Sequence, residues 1–327
     1  MLTLAEYKAG LRDHLDLMVV DEFRRNSDLL DMLKFKDAVA AGGSGSTMKY
    51  GYLQLLTPSG AGSRAIGTEY TPNEAKRVEK DTHLCIMGGT FQLDRVIAKT
   101  SGANNEVEFQ LKDKIKATAN YFHYLALNGV ESKDETSGTY LTFDGISTLL
   151  RGASTESTSA VNCATWDEDD KRTAFALIDE VEEMIAAMMA KPDALLMNRK
   201  MKVKFLSAAR RAGYLTRGEN AFGAKTDVYD STIKILDMGE YYDKTSGTSK
   251  FAVPITEGKT DIFAVNLDED GFHGVSHVGG ESLITSILPD FSRSEAVQEG
   301  SVEMLASVAL RNTKKAAVLR GVQISAT

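Results

Sequence analysis

Two cysteines in 327 residues, Cys85 and Cys163, cannot build a disulfide framework, and they stand in no metal-binding spacing. A reducing, cytosolic origin is the expectation. No apolar run approaches the length of a membrane span, so no membrane partner is expected. The opening MLTLAEYKAG has acidic and polar residues where a signal peptide needs an unbroken apolar core. Positive charge is in deficit: 38 Lys and Arg against 46 Asp and Glu leave a net −8. That argues against a protein whose main task is gripping nucleic acid, although a local basic face remains compatible with it. The usual catalytic signatures are missing too. Gly258-Lys259-Thr260 ends like a Walker loop, but Val253 stands where the first glycine belongs. No GxGxxG occurs, and Gly274-Val275-Ser276-His277-Val278 lacks the closing glycine of a nucleophile elbow.

What is present is 43% apolar and 26% charged residues, enough for a sizeable core in one elaborated domain or two modest ones. The strongest periodic stretch is 105–128, NEVEFQLKDKIKATANYFHYLALN. Val107, Leu111, Ile115, Phe122 and Leu125 recur at three-, four- and seven-residue spacings, with Ala119 between. That is one stripe of period 3.6. Asn105 with Glu108 resembles a capping box, and Asn128-Gly129 is a helix stop. Such a helix is roughly 36 Å long, about twice an ordinary one. Something long must lie along its stripe.

Two neighbouring segments lack a surface of their own. Residues 2–35 carry a loose helical pattern, through Leu4, Tyr7, Leu11, Leu15 and Met18 to Leu29, Leu30 and Leu33. It is too thin to form a core alone. The glycine-rich 38–46 reads as a hinge. Residues 48–56 and 78–90 read as strands enclosing a long tip, 57–73, and a lone hairpin of that size is marginal in water. Further on, 165–191 and Arg199–Ala212 are helices, ended by Pro192 and Gly213. Ala194–Met197 between them is a short buried strand. Strands follow at 233–238, 261–267, 274–278, 301–308 and 316–324, with Asp268-Glu269-Asp270-Gly271 as a hairpin turn between two of them. No repeat is visible, and the class is α+β.

His273, His277 and Glu281 fall at intervals of four. On a helix they would face one metal; in the glycine-rich GFHGVSHVGG they read as strand and turn, about 13 Å apart. His123, inside the long helix, reads as structural. Asp167, Glu168, Asp169 and Asp170 suit a helix N-terminus and lack the ligand alternation of a calcium loop. No catalytic, cofactor or metal set is expected. One charge feature survives. Arg199, Lys200, Lys202, Lys204, Arg210, Arg211 and Arg217 occur with no acid from 198 to 217. They fit nucleic acid, an acidic patch on a partner, or a solvated helix face. An arm and a hairpin that need a surface, a sizeable core and no catalytic constellation favour a self-assembling structural protein over an enzyme.

This order of parts resembles the major capsid protein of tailed bacteriophages, with the Hong Kong ninety-seven type capsid fold shared with encapsulins. The resemblance covers nearly the whole chain. It runs through the long helix and its Asn128-Gly129 stop, Phe143-Asp144-Gly145-Ile146, the helix at 170–190, and Pro192-Asp193-Ala194-Leu195-Leu196-Met197-Asn198. Residues 261–271 and 301–324 resemble the closing strands. No single short motif is diagnostic. The resemblance implies an N-terminal arm (1–47), an extended β-hairpin loop (48–90), a peripheral domain with a long spine helix (91–140 and 291–327) and an axial domain (141–290). It implies a virion shell of hexamers and pentamers around double-stranded DNA, assembled in the host cytoplasm. A separate scaffolding protein, a portal protein and loose, non-specific DNA contact are the implied partners. Inter-subunit contacts are expected at Arg64, Glu69, Tyr70, Lys76 and Arg77 of the loop and at Leu11, Leu15 and Phe23 of the arm. The seven basic residues become an interior or axis-facing patch. Some relatives crosslink a loop lysine to an asparagine; Lys76, Lys80 and Asn312 do not align with that chemistry, and no crosslink is expected. An encapsulin-like compartment is the alternative, and a metal-dependent soluble enzyme the alternative of another class.

Overall fold

The computed structural model describes residues 29–38, 48–100, 106–164, 171–213, 215–219, 225–277, 283–292 and 295–325. Leu11, Leu15, Phe23 and Glu281 lie outside them.

Two sheets divide the core. The larger has seven strands, in the order Glu156–Thr158, Ala316–Gln323, Lys259–Val265, Ala194–Met197, Ile233–Asp237, Lys225–Tyr229, Leu215–Glu219. Its central strand reads ALLM, and all four residues are buried. A continuous apolar run is what a strand covered on both faces requires. Leu195 and Met197 face a core shared with Leu177 and Val181 of helix Lys171–Ala186 and with Met201 and Phe205 of helix Arg199–Ala212. Ala194 and Leu196 face the opposite core, which contains Phe122 and Phe263.

The smaller sheet is built on the long strand Val297–Leu310. Cys85–Asp94 pairs antiparallel along one edge, from Val297 opposite Asp94 to Ala306 opposite Cys85. Ile284–Ile287 and Phe272–Ser276 share the other edge, and Phe35–Asp37 adds parallel to the latter. Helix Glu106–Asn128 contributes Phe122, Leu125 and Ala126 to the same core as Met304, Ala306 and Val308 of the long strand. Gly88 permits the close strand pairing: its φ is +155°, and a Cβ there would lie 2.0 Å from the Val302 carbonyl oxygen.

Several expectations are corrected by this architecture. Burial in the long helix concentrates in its C-terminal half, so Val107, Leu111 and Ile115 are only half-buried. The described end of the expected arm rests on its own chain. Leu29 and Leu33 enter the main core, Phe35 packs 6.1 Å from Phe122, and Lys34 and Lys36 pair with Asp268 and Glu269 at 2.9 and 3.0 Å. The stretch 78–90 is two strands, because the chain turns at buried Leu84 and changes sheet. Asp268 to Gly271 does form a turn, with the Gly271 N–H donating to the Asp268 carbonyl at 2.9 Å, but its flanking strands lie in different sheets. Two strands also cross the expected boundaries. Phe272–Ser276, placed in 141–290, joins the sheet under the long helix, whereas Ala316–Gln323, placed in 291–327, joins the seven-stranded sheet. Pairing between distant segments decides both, and it leaves no local pattern.

Candidate assembly surface

A hairpin of Lys49–Thr57 and Lys76–His83 projects from the smaller sheet. Alternation sets its two faces. At the base, Tyr52 packs with Leu84, Val275 and Ala309, and the Tyr50 ring meets His273 edge-on at 5.8 Å. The buried Thr82 and Ser307 hydroxyls are 2.7 Å apart, and the Gln54 amide donates to the Leu310 and Arg311 carbonyls at 3.1 and 2.8 Å. Burial pushes the Tyr52 phenol up to about 12, so it stays neutral. His83 stacks on Tyr140 at 3.7 Å, and its two ring nitrogens lie 3.2 Å from a Glu131 carboxylate oxygen and 3.6 Å from one of Asp81.

Beyond the base the hairpin leaves the body, and every residue from 55 to 77 is exposed. Leu53 and Leu55 point away from the anchoring face and are each 60% exposed. The tip is nevertheless ordered by its own bonds. Ala65 accepts from the Thr68 N–H and hydroxyl at 3.2 and 3.0 Å, and Gly67 takes φ +87°, as the third position of a type II turn needs. Arg64 donates to the Thr68 carbonyl at 3.2 Å and lies over the Tyr70 ring at 5.4 Å. This turn presents Ile66, fully exposed, at its apex. The expected contacts Arg64, Glu69, Tyr70, Lys76 and Arg77 are all exposed on this limb. Leu53, Leu55, Leu56 and Ile66 add exposed apolar surface to it, and isoleucine in a glycine-rich tip and leucines on a two-stranded ribbon are signals the sequence carries.

The basic helix starts at Asn198, which is fully buried. Its side chain accepts from the Met201 N–H at 2.9 Å and donates to the Thr260 hydroxyl at 2.6 Å and the Val253 carbonyl at 3.3 Å. Met201, Phe205, Ala208 and Ala209 face the core, leaving Arg199, Lys200, Arg210 and Arg211 exposed. Lys202 instead bends down, donating to the Ile235 carbonyl at 3.0 Å, 3.7 Å from Asp227. The side chain of Arg217 is outside the described set. His273 is buried in its strand, where desolvation lowers its pKa, and His277 is exposed beyond the strand end. Among the described residues, no three potential ligands gather around a point.

Two sheets sharing one core, a long helix across one of them and a hairpin reaching outward are the parts of a phage-capsid class of fold. Solved structures share this fold. The SrpI encapsulin of Synechococcus elongatus PCC 7942 aligns with TM-score 0.65 at 13% identity, over 99% of this chain and 96% of that one. The capsid of Myoviridae phage XM1 aligns at 0.56 and 13%, over 95% and 97%. A protein of Mycobacterium phage Bobi aligns at 0.58 and 12%, over 99% of each chain. Likeness at these identities establishes the Hong Kong ninety-seven type fold and does not separate phage shells from encapsulins. The separation comes from the family: the SU10 major capsid protein model matches residues 27–240, and the chain belongs to that family. No curated protein sequence matches it. It is a major capsid protein, a structural component of a virion shell.

Proposed function

We propose that this major capsid protein self-assembles into an icosahedral shell of hexamers and pentamers enclosing the double-stranded DNA of a tailed phage. The hairpin is the element that reaches the neighbouring subunit, and Arg64, Glu69, Tyr70, Lys76 and Arg77 join Ile66 as its contacts. One observation carries this reading: a hairpin anchored at its base exposes every residue from 55 to 77, Leu55, Leu56 and Ile66 included. Leu11, Leu15 and Phe23 of the arm make a second contact. The seven-stranded sheet and its two helices form the axial domain, and the five-stranded sheet with the long helix forms the peripheral domain. A separate scaffolding protein and a portal complete the assembly in the host cytoplasm. Loose, non-specific contact with packaged DNA accords with a chain of net charge −8.

Deletion of residues 58–72 tests the reading. The expected variant keeps the circular dichroism and melting of the parent and forms no shells by electron microscopy. A deletion variant that still builds shells would sink the role of the hairpin. Nucleic acid extracted from parent shells supports a phage capsid; a cargo protein in its place would favour a compartment.

A further inference from the structure

The two helices packed on the seven-stranded sheet carry opposite charge. Helix Lys171–Ala186 lies against Ala316–Gln323, next to the edge strand Glu156–Thr158. Helix Arg199–Ala212 packs beside it, over the end that holds Ile233–Asp237 and Leu215–Glu219. From Ala174 onward the first helix contains Asp179, Glu180, Glu182 and Glu183 and no base; the second contains six bases and no acid. At the acidic end a cleft of about 250 Å³ opens between edge strand and helix. Glu156, Glu180 and Glu183 line it, together with Thr155, Ser157 and Thr158. Glu180 accepts from the Ala160 N–H at 3.0 Å and from the Ser159 hydroxyl, and Glu156 pairs with Arg320, so two of the three carboxylates are fixed in place.

We propose that this acidic cleft receives the basic end of an adjacent copy of the same chain. The inference rests on the shell reading above and adds which surfaces meet. A contact between two different patches is head-to-tail, and such contacts close subunits into rings. Carboxylates and hydroxyls are acceptors, the complement of guanidinium and ammonium donors. Opposite signs on the cleft and on the basic helix give each subunit both halves of the contact, and they repel the wrong pairings, acid to acid and base to base.

Charge reversal tests this. One variant carries Asp179→Lys with Glu183→Lys; the other carries Lys200→Glu with Arg210→Glu. Each is expected to melt like the parent and to lose roughly tenfold or more of its ring and shell yield. A chain with both reversals regains assembly, because its ends are complementary again with signs exchanged. Mixing the two single-end variants is the sharper test. Copies with two basic ends and copies with two acidic ends must alternate, and alternation closes only even-membered rings. Native mass spectrometry is expected to find hexamers without pentamers. Where a reversal fails to fold, Glu183→Gln and Lys200→Gln take its place, with the same direction and a smaller loss. Shells at parent yield from either reversal would overturn the contact, as would a loss that the double reversal does not rescue. A basic-end variant that forms rings but retains less nucleic acid would assign that end to DNA instead. A parent chain that forms neither rings nor shells would remove the shell reading, and this contact with it.

Discussion

In the seven-stranded sheet, the central strand is buried on both faces by its own chain. Among the described residues between 142 and 283, Phe175, Met189, Val203 and Tyr242 are the large apolar side chains left exposed. Around the five-stranded sheet the picture is different. Leu53, Leu55, Leu56, Ile66 and Tyr70 of the hairpin stand in water, and so do Ile86 of strand Cys85–Asp94 and, beyond the far end of that strand, Val96 and Phe109. Both regions are ordered by hydrogen bonds and packing, so looseness does not explain the contrast. One region is closed by its own chain; the other presents apolar surface that the proposed subunit contact would cover. Each such side chain buried at an interface adds roughly 1.5–3 kcal/mol before the costs of association.

The comparison is broken most severely by a charge in the closed region. Leu195→Asp places a carboxylate where no partner exists and is expected to cost more than about 3–5 kcal/mol, seen as the loss of a cooperative melt. Phe122→Asp, in the shared core, behaves alike, whereas Ile115→Asp on the half-buried end of the helix folds; a folded Phe122→Asp would contradict the assignment of the core. Asn198→Ala removes a helix cap and strands the Thr260 and Val253 acceptor groups, for about 2–4 kcal/mol in urea titration.

Acid is a third probe. His123 is buried in the long helix, and neither ring nitrogen has a partner among the described residues. Desolvation lowers its pKa to about 4 from 6.5. The unfolded chain therefore takes up this proton first. Stability present above pH 6.5 is lost as the pH falls toward 4, by an amount on the order of 3 kcal/mol. His123→Leu is expected to flatten that slope; an unchanged slope would place the acid sensitivity elsewhere. The smallest effect on the subunit sharpens the comparison most. Ile66→Asp should shift monomer stability by less than about 0.5 kcal/mol. Its shell yield should nevertheless collapse, and parent-like shells would remove Ile66 from the contact.

Much of this was legible in the sequence where the signal is local. The ALLM run between two helices, the stop at Asn128-Gly129 and the apolar first strand of the hairpin each follow from spacing or turn chemistry. The need of the hairpin for a surface was legible as well, since a lone two-stranded ribbon of this length is marginal in water, and its base finds that surface on its own chain. What escaped depends on distant partners. Nothing near Asp268 says that the strands on either side of the turn enter different sheets. The acidic cleft joins Glu156 to Glu180 and Glu183 only through the fold. The N-terminal half of the stripe on the long helix is only half-buried, and no periodicity encodes how much of a stripe distant strands cover.

The seat of the hairpin has a consequence in time. Thr82 meets Ser307 across 225 residues of chain, and Gln54 meets Leu310 across 256. A ribosome adding roughly 5–20 residues each second delivers the hairpin about 10–45 s before the strand that seats it. Until then its projecting limb has no fixed direction. On the proposed contact, a nascent subunit cannot offer a correctly aimed hairpin to its neighbours before its own synthesis is nearly complete, and incomplete chains would be poor competitors for places in the growing shell.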